Sequence, residues 1–100
     1  MRDILLSESS LVSVAKHVAS AVAPDGSETV IVDPTSGTYF GVSDHGVRVW
    51  TLIQRPRRLG DVRDMLLEEY EVDPEVLYAD LQSLIRELAQ AGLVNVVQEP

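Results

Sequence analysis

Thr29-Val30-Ile31-Val32-Asp33-Pro34-Thr35-Ser36-Gly37-Thr38-Tyr39-Phe40-Gly41-Val42 is the stretch that decides the fold. Thr29 to Val32 is a β-branched run, which favours a pleated strand over a helix. Asp33 to Gly37 reads as a turn of hairpin length, because proline pre-sets φ and glycine tolerates positive φ. Thr38 to Val42 then reads as the returning strand. Upstream, Pro24-Asp25-Gly26-Ser27 is a second turn signal, so His17 to Ala23 is read as a strand despite its alanine content. The expectation is an antiparallel meander of three strands joined by two tight turns.

Downstream the periodicity changes to that of helices. Ser43 is the expected N-cap of a first helix, with Gly46, Val49, Trp50 and Ile53 on one face and Pro56 ending it. Val62, Met65, Leu66 and Tyr70 give a second helix from about Leu59 to Tyr70. Asp73-Pro74-Glu75 is a strong start for a third: an acidic cap, a proline whose missing donor costs nothing there, and an acid favoured by the helix dipole. Leu77, Leu81, Leu84, Leu88 and Ala91 form its apolar stripe, Gly92 suits a left-handed stop, and Leu93 to Val97 reads as a short terminal strand. The fold class expected is α+β, a three-stranded antiparallel sheet followed by a three-helix unit like a winged helix-turn-helix. Residues 1–12 are read as a weakly structured arm, 13–97 as the domain and 98–100 as a tail.

One hundred residues suit one domain with a modest core, and 45% hydrophobic with 24% charged residues is an ordinary globular balance. The chain has no cysteine, which removes disulfides, thiolate nucleophiles and cysteine metal sites together. No apolar run reaches the ~18 residues of a membrane span, and the polar start does not read as a signal peptide, so the expectation is cytoplasmic. The net charge of −8 opposes general binding to phosphate backbones. Arg48, Arg55, Arg57, Arg58 and Arg63 cluster in one stretch. Arg55, Arg57 and Arg58 are read either as a docking patch for a partner enzyme or as solvated surface. A DNA-binding winged helix is the competing reading, but its recognition helix would carry only Arg86 against Asp73, Glu75, Asp80 and Glu87.

No catalytic pattern emerges. Ser43, Asp44 and His45 are adjacent, and consecutive side chains at a strand-to-helix junction diverge where a triad must converge. His17 and His45, the only histidines, have no metal-ligand spacing. The glycines match no phosphate loop or dinucleotide pattern, so no cofactor or metal is expected.

The order of these pieces resembles the PqqD-like family. A strand, an acidic turn with glycine, the aromatic pair Tyr39-Phe40, Gly41, and then Gly46-x-x-x-Trp50 in the first helix follow its pattern. Glu69-Tyr70-x-Val72-Asp73 and Leu88-x-x-x-Gly92-Leu93 are similar to it too. The resemblance spans about residues 15 to 96 and departs from the pyrroloquinoline quinone proteins in the long polar start, Met1 to Ser13. It implies a non-catalytic recognition element for ribosomally made, modified peptides. In that family the leader of a precursor peptide adds to the third strand and fills a groove against the third helix. The resemblance also implies delivery to a separate enzyme. A lasso-peptide leader peptidase is the first expectation, and a radical SAM peptide-modifying enzyme is the alternative.

Elementary physics agrees with strand addition. A three-stranded meander has two edges, and Thr38 to Val42 contains neither a charge nor a proline to block one of them. The expected peptide-binding residues are Val30, Val32, Thr38, Tyr39, Phe40, Gly41 and Val42 on the strands, and Val76, Leu77, Asp80, Leu81 and Leu84 on the third helix. Tyr39 and Gly41 face one side of the strand, Thr38, Phe40 and Val42 the other, and the sequence leaves open which side packs on the helices. Leu77, Leu81 and Leu84 are read as core or groove floor, and Asp80 as a residue of the groove rim. A proline at Phe40 is expected to weaken peptide binding by removing a backbone donor.

Overall fold

In the computed structural model, which describes residues 5–98, the hairpin read from the sequence is two-thirds of a three-stranded sheet. Strands β2 (Ala19–Val22), β3 (Glu28–Asp33) and β4 (Thr38–Ser43) follow β1 (Leu11–Val14) and pair in the order β2-β3-β4, all antiparallel. Helix α1 (His45–Leu52), the two-residue β5 (Arg57–Arg58), helices α2 (Leu59–Glu69) and α3 (Pro74–Gln90), and β6 (Val94–Val97) complete the chain. The expected sheet and three helices are therefore present. The turn that fixes the hairpin uses Asp33 as its anchor. Its Oδ1 accepts the Thr35 N–H at 2.9 Å, and the Asp33 carbonyl accepts the Gly37 N–H at 2.8 Å, with Gly37 at φ 76°.

A second sheet was not expected. β1 lies at its centre, antiparallel to β5 on one side and to β6 on the other. Leu11 and Val12 therefore do not belong to a loose arm. Val12 is fully buried in the core, and Ser10 is buried too, with its hydroxyl on Gln98 Oε1 at 2.9 Å. The carbonyls of Glu8 and Ser10 accept the N–H groups of Gly60 and Leu59, two donors that the start of α2 leaves free. Residues 1–4 of the expected arm, and 99–100 of the expected tail, lie outside the described residues. The missed strand has a simple cause: its partners lie at the other end of the chain, and four residues of Leu-Val-Ser-Val carry little local signal.

The helix ends are chemically specified, with one correction. Asp73 caps α3 through Oδ1, accepting from Glu75 N at 2.9 Å and Val76 N at 3.1 Å. Its C-terminus closes as the sequence suggested: Gly92 takes φ 78°, its N–H reaches the Ala89 carbonyl, and Leu93 N–H reaches that of Leu88. Ser43, expected to cap α1, is instead the last residue of β4. The capping position is Asp44, at φ 53° and ψ −129°, and its side chain accepts no capping hydrogen bond. The sharp turn from strand into helix decides this, because it spends the junction residue's backbone on changing direction.

The core lies between the β2-β3-β4 sheet and the helices. Ile31 of β3 and Val42 of β4 meet Val49, Trp50 and Ile53, Val62 and Leu66 of α2, and the Leu81-Ile85-Leu88 stripe of α3. Burial fixes the faces of the hairpin. Thr29, Ile31 and Asp33 are buried and sit opposite Val42, Phe40 and Thr38, so this side packs inward. Val30, Val32, Tyr39 and Gly41 form the other side.

Candidate functional site: an open sheet edge beside an apolar hollow

Strand β4 has a partner on one side only. Which of its backbone groups are unpaired follows from the ladder. Ala23 and Glu28 are opposite each other, and the Ala23 N–H donates to the Glu28 carbonyl at 2.8 Å. Alternation along an antiparallel pair then directs the backbone of Val30 and Val32 toward β2, and that of Thr29, Ile31 and Asp33 toward β4. Their partners Val42, Phe40 and Thr38 spend their N–H and C=O groups on β3. Tyr39 and Gly41 present theirs to the open edge. The expectation for Phe40 is thereby corrected: its N–H belongs to the internal ladder, and a proline there would damage the sheet before it touched a guest.

Beside that edge the helices enclose a hollow of about 80 Å³, walled by His45, Gly46 and Val49 of α1, Leu66 of α2, and Leu77, Asp80, Leu81 and Leu84 of α3. Gly46 is the joint between strand and hollow. A Cβ at this glycine would stand 3.2 Å from Val42 Cβ and 3.7 Å from Leu84 Cδ2, so only the missing side chain lets α1, β4 and α3 approach so closely. His45 is held by Tyr70, their ring centroids 4.1 Å apart. On the same helix Arg48 grips Glu69 through Nε and Nη2, each at 2.8 Å; these hydrogen bonds lower the Glu69 pKa and raise that of Arg48.

The expected site residues fall into three places. Thr38, Phe40 and Val42 are on the inner face of β4, and Leu77, Asp80, Leu81 and Leu84 line the hollow next to it. Leu77 and Leu81 are at once core and floor, whereas Leu84 is half-buried and Asp80 exposed at the rim. Val30, Val32, Tyr39 and Gly41 share the outer face, where Tyr39 is 74% exposed. Val76 is exposed on α3 and does not line the hollow. Of the arginines, Arg57 donates through Nε to the Leu52 carbonyl at 2.6 Å and Arg58 sits in β5 against β1, so two of the three are used by the fold. The sequence reading missed His45, Gly46, Val49 and Leu66 as walls of the hollow. The spacing Gly46-x-x-Val49 had placed two of these on one helix face, but only the packing shows what that face adjoins.

Among the described residues no group of histidines and acids is arranged to hold a metal ion, and no helix is long and apolar enough to cross a membrane. A small α+β domain with an unpaired strand beside an apolar groove is, as a class, built to take up an extended chain. Residues 28–94 match the model of the family described as coenzyme PQQ synthesis protein D, PqqD, and the chain belongs to that family. It is 32% identical to TbiB1, solved in complex with the TbiA(beta) leader peptide; the match has a TM-score of 0.74 and covers 83% of this chain and 94% of that one. Two further structures share the fold. The PqqD truncation of Methylobacterium extorquens PqqCD, described as a stand-alone RiPP recognition element, has 21% identity, a TM-score of 0.76, and coverage of 95% and 99%. Lasso peptide synthetase B1, complexed with the leader peptide, has 23% identity, a TM-score of 0.71, and coverage of 84% and 96%. No curated protein matches the chain.

Proposed function

We propose that this chain captures the leader segment of a ribosomally made precursor peptide as an added strand on β4 and presents it to a separate processing enzyme. The observation that carries this reading is the open row of Tyr39 and Gly41 backbone groups on the strand whose Val42 packs against Gly46, a wall of the hollow that Val49, Leu77, Leu81 and Leu84 also line. Main-chain bonds at the edge supply affinity that any extended peptide shares, and the hollow on one side of the strand supplies selectivity for an apolar side chain. The similarity to TbiB1, a protein solved with a leader peptide, supports a leader peptide as the guest. The relatives solved as leader complexes also support a lasso-peptide setting, in which a separate leader peptidase receives the bound peptide. The chain itself does no chemistry in this reading and acts in the cytoplasm, where precursor peptides are made.

Titration of the chain with a synthetic leader of ~15–25 residues from the precursor encoded beside it tests the proposal. Binding at micromolar Kd or tighter, on the order of −8 kcal/mol, is expected. The Tyr39 and Gly41 amide resonances should move with it and gain protection from hydrogen exchange. Absence of both heat and amide shifts at millimolar peptide would end the reading.

A further inference from the structure

We infer that the guest is selected by charge as well as by shape: the segment laid along β4 carries a cationic side chain over Asp80, and the site discriminates against an acidic one there. The inference rests on the peptide-capture reading and extends it to the class of peptide. Asp80 is the one carboxylate among the walls of the hollow, it is exposed at the rim, and no cation of the described residues pairs with it. Everything else lining the hollow is apolar except His45, whose ring packs at a tilt against Tyr70.

The second face of the strand has the same sign. Glu28 lies opposite Ser43 and extends its carboxylate toward Gly41, with Oε1 3.4 Å from where a Cβ would stand at that glycine. A guest strand at the open edge therefore has an acid within reach on each of its faces, Asp80 below and Glu28 above. Asp44, exposed at the end of β4, adds a third. The arginine of α1, Arg48, does not offset these, because its charge is matched by Glu69, which it holds through Nε and Nη2. The whole chain carries −8, so its long-range field favours the approach of a cationic segment over an acidic one. Peptide N–H groups do not explain the arrangement, since the backbone of β4 already offers them acceptors along the edge.

A double scan tests this. The probe is the same synthetic leader, from the precursor encoded beside this chain, with each position replaced in turn by lysine and by glutamate, titrated against the intact chain at low and high salt. At one or two neighbouring positions lysine should bind about two- to fivefold more tightly than the neutral parent and glutamate correspondingly more weakly. That gap should narrow at high salt. Asp80→Asn should abolish the gap at the position above the hollow, and Asp80→Lys should reverse it. Glu28→Gln should act the same way at a position of opposite side-chain parity. Circular dichroism of each variant separates a lost preference from a lost fold. Equal affinities of the lysine and glutamate peptides at every position would overturn the inference while leaving capture intact, as would a preference that survives Asp80→Asn and Glu28→Gln together. Failure of every peptide in both scans to bind would count against capture itself.

Discussion

Two residues hold the hairpin and its exit, and each makes a testable demand. Asp44 takes φ 53° and ψ −129° with no capping bond from its side chain, a backbone region that glycine tolerates and other residues adopt at a cost of about 1–3 kcal/mol. Replacing it by glycine relieves that strain and loses about 0.4–1 kcal/mol through the unfolded chain. Asp44→Gly should therefore stabilise the protein by about 1 kcal/mol in urea unfolding, whereas Asp44→Ala should not; a glycine variant less stable than the parent would show the turn to be unstrained. Asp33 makes its demand through pH. Burial pushes its carboxyl up, but the N–H donors of Thr35 and Ser36 and the nearby His17, 3.3 Å away, outweigh this and hold it below the ordinary 3.8. A group whose pKa is lower in the folded state stabilises the fold above its unfolded value and loses that contribution as pH falls through the folded one. Asp33→Asn keeps the turn's acceptor and removes the charge. Its melting temperature should lie below that of the parent at pH 7, and the difference should close as pH falls below 3.8 and through the lower folded value; a constant difference across that range would assign the loss to packing.

At the level of elements, much of the architecture was legible because it is local. The Asp33-to-Gly37 turn, the Asp73-Pro74-Glu75 start and the Gly92-Leu93 stop each lie within a few residues, and all three operate as the sequence suggested. The illegible parts are those made by distant partners. β1 has meaning only against β5 and β6, and the hollow exists only where α1, α2 and α3 meet. The parity of β4 belongs to the same category. Alternation told which residues share a face, but the direction of each N–H required the position of β3. That direction separates two prolines. Gly41→Pro removes a donor from the open edge and leaves the β3–β4 ladder whole, so stability should hardly change while leader affinity falls about five- to tenfold, the worth of roughly one hydrogen bond. Phe40→Pro breaks the internal ladder opposite Ile31 and should lower the melting temperature before binding is even considered. Calorimetric unfolding beside peptide titration of both variants measures this, and equal behaviour of the two would mean that the edge is not where the guest binds.

Across the whole molecule, the residues that match the family model, 28–94, do not coincide with what holds together. The second sheet has β1 at its centre, and β6 is left with no strand beside it once β1 is gone. Val12 fills the core at zero exposure, the Ala15 N–H donates to the Leu93 carbonyl at 3.0 Å, and the carbonyls of Glu8 and Ser10 satisfy the first donors of α2. Glu8 also pairs with Arg63, and the Arg63 guanidinium lies 5.1 Å from the centre of the Tyr78 ring, so the start of the chain is coupled to both α2 and α3. Those helices carry Leu66, Leu77, Leu81 and Leu84, four walls of the hollow. None of residues 5–14 lines the hollow or belongs to the β2-β3-β4 sheet, yet deleting residues 1–14 should abolish capture. The shortened chain is expected to lose its cooperative heat-absorption peak, to bind a hydrophobic dye, and to retain much of its helical circular dichroism, the signature of helices without fixed packing. A cooperative transition within a few degrees of the parent, with leader affinity unchanged, would show instead that the β2-β3-β4 sheet and the helices form a self-sufficient unit.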